Sequence, residues 1–440
     1  MGVIKNLMNA LKQSKFAKNV MVLSAGTLVS NSLILVTTPI LTYLYTPAEF
    51  GVLSIYLSLL YSLKVIVSLL YEEAIPLPES EEEGSHLLGL SLIIAFIISV
   101  LVWFIGSFLP VGSWFNAPVL DHYTWMLAIS LLGIGLYEAF NLWSVRKETY
   151  KTISIAKLSM NSGQTAVQII LGIFNLKFMG LIIGDAAGRV MGFAAFLKLL
   201  IKNKELPSFS GLTLSGLINV MKRYKKFPLI SSWSNIIESV SDQIPTFFLA
   251  AFFGPEAAGL YLLAQKILII PEGLISYPVS QVYVSQAVQY LRDEQEKLLP
   301  LFLKTINKMA VISFAVLGLI VVIFPVFIVL VFGEEWKGAG GYLQAAALYS
   351  FSRMVVMPVS KMFYVVEAQV HQIFGKIVSL LLMITSIWVC AVFIKDPVMS
   401  ILCISIFASI GYIIYGLFAW FAMNKRLREK DWREGGRDEY

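Results

Sequence analysis

Apolar residues run almost without a break from about residue 19 to residue 423, far more than any soluble core could hide. Of the 440 residues, 57% are hydrophobic and 14% charged, where soluble domains carry roughly 45–50% apolar and about 25% charged residues. A lipid bilayer is the solvent that satisfies such a chain. In hydrocarbon every backbone N–H and C=O must be paired within the structure, which leaves helices or a closed barrel. The segments lack the strand alternation of a barrel, so an all-α integral membrane protein is expected.

A helix needs roughly 20 apolar residues to cross about 30 Å of hydrocarbon. That length predicts twelve spans, near 19–45, 48–71, 86–109, 124–145, 153–175, 178–201, 227–252, 256–281, 306–331, 339–365, 371–394 and 398–423. With the N-terminus inside, the inner segments hold 22 Lys and Arg, whereas the outer loops hold only Lys177, Lys337 and Lys395. Positive residues gather on the cytoplasmic side, so both termini are expected there. The start, Met1 to Lys18, is basic and amphipathic, and the apolar run after it is too long for a signal-peptide core, so the first helix is expected to be retained. One inner loop departs from the pattern, with Glu72, Glu73, Glu79, Glu81, Glu82 and Glu83 around Pro76 and Pro78. Acids contribute little to orientation, and the loop reads as a solvated turn.

The longest internal polar interval, Lys202 to Lys226, leaves six spans on either side. Pro47-Ala48-Glu49-Phe50-Gly51 and Pro255-Glu256-Ala257-Ala258-Gly259 open the two halves with the same Pro-x-x-x-Gly, offset by 255 − 47 = 208 residues. The expected organisation is an N-lobe at 1–205, a cytoplasmic linker at 206–226, a C-lobe at 227–424 and a basic tail at 425–440. Six spans per half is even, so the two repeats share one orientation about an axis along the membrane normal. Transporters of this plan hold substrate between the halves and alternate access to it.

Charges at bilayer depth cost about 2.5–3.5 kcal/mol each and normally face a cavity or a partner. They are Lys64, Glu138, Asp185, Arg189, Glu238, Asp242, Lys266, Glu272, Arg353 and Lys361. In span seven Ser231, Asn235, Glu238 and Asp242 follow the i, i+4, i+7, i+11 spacing of one helix face. Milder polar stripes are Ser24, Thr27, Asn31 and Thr38 in span one, and Asn161, Thr165 and Gln168 in span five. Such stripes line a wet central cavity or bond helices together within a bundle. Asp185 and Arg189 can pair along one helix. Lys64, Lys266, Arg353 and Lys361 have no acid at helical spacing, and an anionic pyrophosphate would need cations of this kind. The alternative is pairing with acids on neighbouring helices. Glu238 and Asp242 repel one another unless a proton, a cation or a basic side chain compensates them, which makes them candidates for a coupling-ion site taking Na+ or H+.

Other chemistries are unsupported. Cys390 and Cys403 fall within apolar segments, so neither a disulfide nor a thiolate metal site is expected. There is no P-loop, no His-x-x-His and no Gly-x-Ser-x-Gly, and His86, His122 and His371 are scattered, most simply as interfacial residues. No outer loop exceeds about 15 residues, too little for the catalytic platform of a polysaccharide polymerase or ligase. No enzyme, metal or organic cofactor is expected. Lys222-Arg223-Tyr224-Lys225-Lys226 suits anionic lipid headgroups better than nucleic acid.

Several strings are family-like: Pro39-Ile40-Leu41-Thr42-Tyr43-Leu44-Tyr45-Thr46-Pro47-Ala48-Glu49-Phe50-Gly51, Tyr71-Glu72-Glu73-Ala74-Ile75-Pro76-Leu77-Pro78, Tyr224-Lys225-Lys226-Phe227-Pro228, Phe252-Phe253-Gly254-Pro255 and Gly259-Leu260-Tyr261-Leu262-Leu263-Ala264-Gln265-Lys266. They resemble the O-antigen, or Wzx-like, oligosaccharide flippases of the superfamily that also holds multidrug extruders and the lipid II flippase. The resemblance implies two six-helix lobes forming a V around a central cavity. It also implies an undecaprenyl-pyrophosphate-linked repeat unit as cargo in lipopolysaccharide or other polysaccharide biosynthesis, moved across a bacterial inner membrane. Relatives often carry Arg before the Tyr-Glu pair; here that position is Leu70, and Lys64 is the nearest cation on its span. Lys266 stands where relatives commonly have Lys or Arg. The candidate substrate contacts are therefore Lys64, Arg189, Lys266, Arg353, Lys361, Asn31 and Asn235, with Glu238 and Asp242 for the coupling ion. The expected partners are the lipid-linked oligosaccharide, membrane lipids and other polysaccharide-assembly membrane proteins. The principal alternative is an extruder of cationic drugs, which shares the fold.

Overall fold

A computed structural model describes residues 15–207, 209, 211–366 and 368–435. Most of the basic N-terminal stretch and the end of the C-terminal tail lie outside these residues. The helices are α1 (Lys15–Leu44), α2 (Pro47–Lys64), α3 (Glu81–Gly106), α4 (Thr124–Arg146), α5 (Tyr150–Ile173), α6 (Lys177–Asn203), α7 (Leu214–Arg223), α8 (Ser232–Phe253), α9 (Pro255–Pro271), α10 (Tyr277–Asp293), α11 (Leu298–Phe332), α12 (Ala339–Ser360), α13 (Gln369–Phe393) and α14 (Pro397–Gly435). No strand occurs among the described residues.

Nine helices among the described residues are long and apolar enough to cross a membrane. The three other expected spans fall on α2, α5 and α12. Span two is shorter than expected: α2 ends at Lys64 instead of running to 71. The chain then turns, and Leu69 and Leu70 adopt left-handed backbone conformations at φ 52° and 60°. Such a conformation costs about 1–2 kcal/mol per residue. It is offset by burial of Leu70, Tyr71, Ala74 and Ile75 against α3, α4 and α6.

The repeated Pro-x-x-x-Gly is a helix-start device in both halves. At α2 the Thr46 hydroxyl accepts from the Glu49 amide at 3.3 Å, and the Glu49 carboxylate accepts from the Thr46 amide at 2.8 Å. This reciprocal cap has Pro47 at the first helical position, where no amide donor is needed. At α9 Pro255 takes the same position after Gly254, whose φ of +86° turns the chain into the helix.

The chain divides into two compact units, 1–243 with 254–256, and 244–253 with 257–440. The division falls inside α8, whereas the sequence places the start of the C-lobe at 227. Helix α7 and the first half of α8 go with the first unit because they are tied to it: the Tyr71 hydroxyl donates to the Met221 carbonyl, and Ser239 donates to the Tyr61 carbonyl at 2.7 Å.

In the first unit α5 and α6 lie unusually close. Gly180, Gly184, Gly188 and Gly192 recur every fourth residue along α6, the small-residue stripe that lets helix backbones approach. A Cβ at Gly188 would meet the Gln164 Cβ at 2.6 Å and the Met160 carbonyl oxygen at 2.7 Å. In the second unit a core of Tyr283, Phe302, Val359, Phe363, Ala419 and Met423 joins α10, α11, α12 and α14.

Candidate functional site

In the first unit two acid–base pairs stand at membrane depth. Arg189 on α6 binds Asp185 one turn earlier through two parallel bonds, Nε to Oδ2 at 2.8 Å and Nη2 to Oδ1 at 2.9 Å. Both side chains are almost fully buried, at 11% and 4% exposure. The guanidinium also lies over the Tyr61 ring, 5.9 Å from its centre. Two parallel charge-assisted bonds make this a closed pair. Lys64, at the end of α2, binds Glu138 of α4 at 2.5 Å, and its side chain stays 43% exposed. Two further charges share this place. Glu73 interacts with both Lys64 and Glu138, and Lys157 of α5 interacts with Glu138. The sequence reading passed over Lys157 because a cation in the first turns of a span reads as a side chain reaching for the headgroups.

The second unit also brings a base to an acid at depth. Arg353 of α12 approaches Glu272 with Nε to Oε2 at 3.4 Å, and the side chains are 30% and 10% exposed. Glu272 opens a π-helical turn, Glu272–Ser276, between α9 and α10. Widened turns of this kind recur at functional sites. Ser276 at its end donates to the Met354 carbonyl at 3.3 Å, fixing the turn beside Arg353. Lys361 lies over the Tyr364 ring at 5.5 Å.

The expectation of unpaired cations is therefore corrected. Lys64 and Arg353 both meet acids on other helices, which spares each the cost of an isolated charge in hydrocarbon. Lys266, Glu238 and Asp242 are not free either. Of the polar face on α8, Glu238 is exposed, while Asn235 and Asp242 are half-buried. Asn31 on α1 is exposed. The span-five stripe is packed between helices. Asn161, Thr165 and Gln168 are buried, with Asn161 donating to the Ser30 carbonyl and Gln168 to the Leu181 carbonyl, both at 2.9 Å. These amides satisfy carbonyls on neighbouring helices, which is the interhelical bonding a packed bundle uses.

The acidic loop keeps Glu73, Glu79, Glu81 and Glu82 exposed, as a solvated turn would, but it is also fastened to basic residues of its own unit. Arg146 at the end of α4 donates to the carbonyls of Ile75, Pro78, Glu79 and Ser80. Lys147 pairs with Glu81, and Arg223 with Glu83 at 2.8 Å. Lys147 accordingly holds the Glu81 carboxyl below its ordinary range. Glu72 is buried, and that burial pushes its carboxyl up to about 7. The inner loops thus neutralise one another, acid against base. His86 is a fastening point: it is buried, and its Nε2 accepts from the Thr213 amide at 3.3 Å, at the start of α7. Gly216 must lack a side chain there, because a Cβ would stand 2.1 Å from that nitrogen.

The fold is shared with solved transporters. An inward-facing multidrug resistance MATE family transporter of the MOP superfamily superposes with a TM-score of 0.70 at 15% identity, covering 90% of this chain and 96% of that one. The lipid II flippase MurJ in an inward closed conformation gives 0.66 at 15% identity, covering 92% and 87%. These neighbours are transporters and not enzymes. Among curated proteins, the lipopolysaccharide biosynthesis protein WzxC of Escherichia coli K12 is 31% identical over 129 residues, 29% of this chain and 26% of that protein. The match thus spans about a quarter of that relative's length. A family profile described as polysaccharide biosynthesis protein matches residues 40–340. With a multi-pass helical fold common to known transporters and a profile match over most of its length, the chain belongs to the polysaccharide biosynthesis protein family.

Proposed function

We propose that this protein is a flippase that moves an undecaprenyl-pyrophosphate-linked oligosaccharide from the cytoplasmic to the outer leaflet of a bacterial inner membrane. It works by alternating access, with both termini in the cytoplasm and an ion coupled to the movement. The match to the polysaccharide biosynthesis family over residues 40–340 carries this reading. The WzxC and MurJ likenesses support it, since one serves lipopolysaccharide biosynthesis and the other flips lipid II.

The paired charges supply a physical means. An empty site whose cations are matched by acids is neutral and tolerable at membrane depth. In the second unit an arriving pyrophosphate offers a denser acceptor than Glu272, so Arg353 turns from carboxylate to phosphate; in the first unit, taken by itself, Lys64 can leave Glu138 for an anion in the same way. Lys266 and Lys361 add further positive charge, while Arg189 stays with Asp185. The released carboxylates then require a proton or Na+, which is the physical root of coupling. Glu238 and Asp242, on one face of α8 with Asn235, are the additional carboxylates for that ion. Other polysaccharide-assembly membrane proteins would deliver and collect the cargo.

An extruder of cationic drugs is the second reading, favoured by the MATE-type fold. A strain lacking the gene separates them: loss of surface polysaccharide with unchanged drug sensitivity supports the flippase, and the reverse supports the extruder. In the same strain Arg353→Ala should fail to restore polysaccharide while still accumulating in the membrane.

A further inference from the structure

Between α2 and α3 two features meet that a stable loop does not ordinarily combine. Leu69 and Leu70 both hold left-handed backbone conformations, which leucine rarely adopts. Directly after them Glu72 is 6% exposed, and its Oε2 has no hydrogen-bond partner among the described residues. An ionised carboxylate so placed needs a cation or several donors.

The surroundings supply neither. From its own turn it faces Glu73, and from α4 it faces Glu138, both acids. Lys64 of α2 is bound to Glu138, and Arg146 of α4 is directed at the loop carbonyls. On the elements packed against the turn, Lys147 is taken by Glu81, Arg223 by Glu83, and His86 faces Glu82 and Thr213. Ser68 and the Glu72 backbone amide favour the anion, but burial and the two acids outweigh them, so the carboxyl is pushed up to about 7.

We propose that Glu72 is a proton-binding site, and that its protonated form holds the Leu69–Leu70 turn and the head of the inner loop closed against the core of the first unit. This inference is independent of what the protein carries. The proton comes from cytoplasmic water past Glu73, which is exposed. Its loss leaves three carboxylates, Glu72, Glu73 and Glu138, against the two amines of Lys64 and Lys157, both of which face Glu138. Glu72 is then driven toward water, and relaxation of Leu69 and Leu70 out of the left-handed region provides the movement. Tyr71, bonded to the Met221 carbonyl, couples the turn to α7.

Two measurements on the full chain in lipid nanodiscs test this. Infrared difference spectra should show a carboxylic acid band titrating across pH 7, absent in Glu72→Gln and kept in Glu73→Gln. Thiol labelling at Ala74→Cys, with Cys390 and Cys403 replaced by Ser, reports opening as a ratio to an exposed Leu77→Cys control. That ratio should rise by up to about tenfold per pH unit between about pH 4.5 and pH 7, level off above it, and stay flat when Glu72→Gln is added. The proposal fails if wild type shows no carboxyl titrating near pH 7, if the band survives Glu72→Gln, or if the Ala74→Cys ratio is independent of pH. The wild-type spectra alone suffice to reject it should the variant not fold.

Discussion

The two units meet the same problem, charge at membrane depth, with different tightness. In the first unit Arg189 and Asp185 are joined by two short parallel bonds in near-complete burial, beside helices whose glycines bring backbones together. In the second, Arg353 approaches Glu272 at the longer distance of 3.4 Å beside a widened helical turn, with the arginine side chain 30% exposed. A closed pair stabilises a fold, whereas a looser one can exchange its partner for a ligand. On the proposed function, the first unit's pair serves architecture and the second unit's pair is the one expected to meet cargo.

The largest expected effect tests the architectural pair. Removing one partner of a buried ion pair leaves an uncompensated charge, worth about 3–5 kcal/mol. Arg189→Ala or Asp185→Ala should lose that much stability in thermal unfolding, and the double variant should recover part of it. A loss under about 1 kcal/mol for either single variant would break the contrast.

Next comes a pH effect confined to the first unit. Glu72 has a folded pKa of about 7 against an ordinary 4.5. Between those values the folded protein keeps a proton that the unfolded chain has released, so stability falls as pH rises through the window. The fall amounts to about 3 kcal/mol. Unfolding measured as a function of pH should show it in wild type and lose it in Glu72→Gln.

Glycine substitutions sharpen the contrast further. Gly188→Ala overpacks the α5–α6 contact and should cost about 1–3 kcal/mol. Gly318→Ala on α11 of the second unit meets nothing within 4 Å, so alanine's better helix propensity should gain up to about 1 kcal/mol. Arg353→Ala leaves the buried Glu272 without that partner and should cost less than Arg189→Ala, about 1–3 kcal/mol, although transport should be lost. A large loss of stability there would mean that the second unit's pair is as structural as the first's.

Much of this was legible in the chain. Hydropathy and the lysine and arginine distribution led to a helical membrane protein, because bilayer thickness and insertion energetics act on composition directly. The paired Pro-x-x-x-Gly strings marked two real helix starts. Partners across helices were less accessible: nothing in the spacing of Lys64, Glu138, Glu272 and Arg353 shows which helices adjoin. For the same reason the fastening of the acidic loop was hidden, since the Arg146 that binds its carbonyls lies some seventy residues away in sequence. The end of α2 at Lys64 carries no Gly or Pro signal, because burial of Leu70, Tyr71 and Ile75 overrides local preference. The α6 glycine stripe was readable and went unread.

Purified protein in vesicles loaded with an undecaprenyl-pyrophosphate-linked oligosaccharide provides the most direct trial of cargo and site together. The appearance of sugar in the opposite leaflet should depend on the protein and on an ion gradient, and should stop with Arg353→Ala. Sugar that stays in place while a cationic dye crosses, or equal transfer by Arg353→Ala, would contradict it.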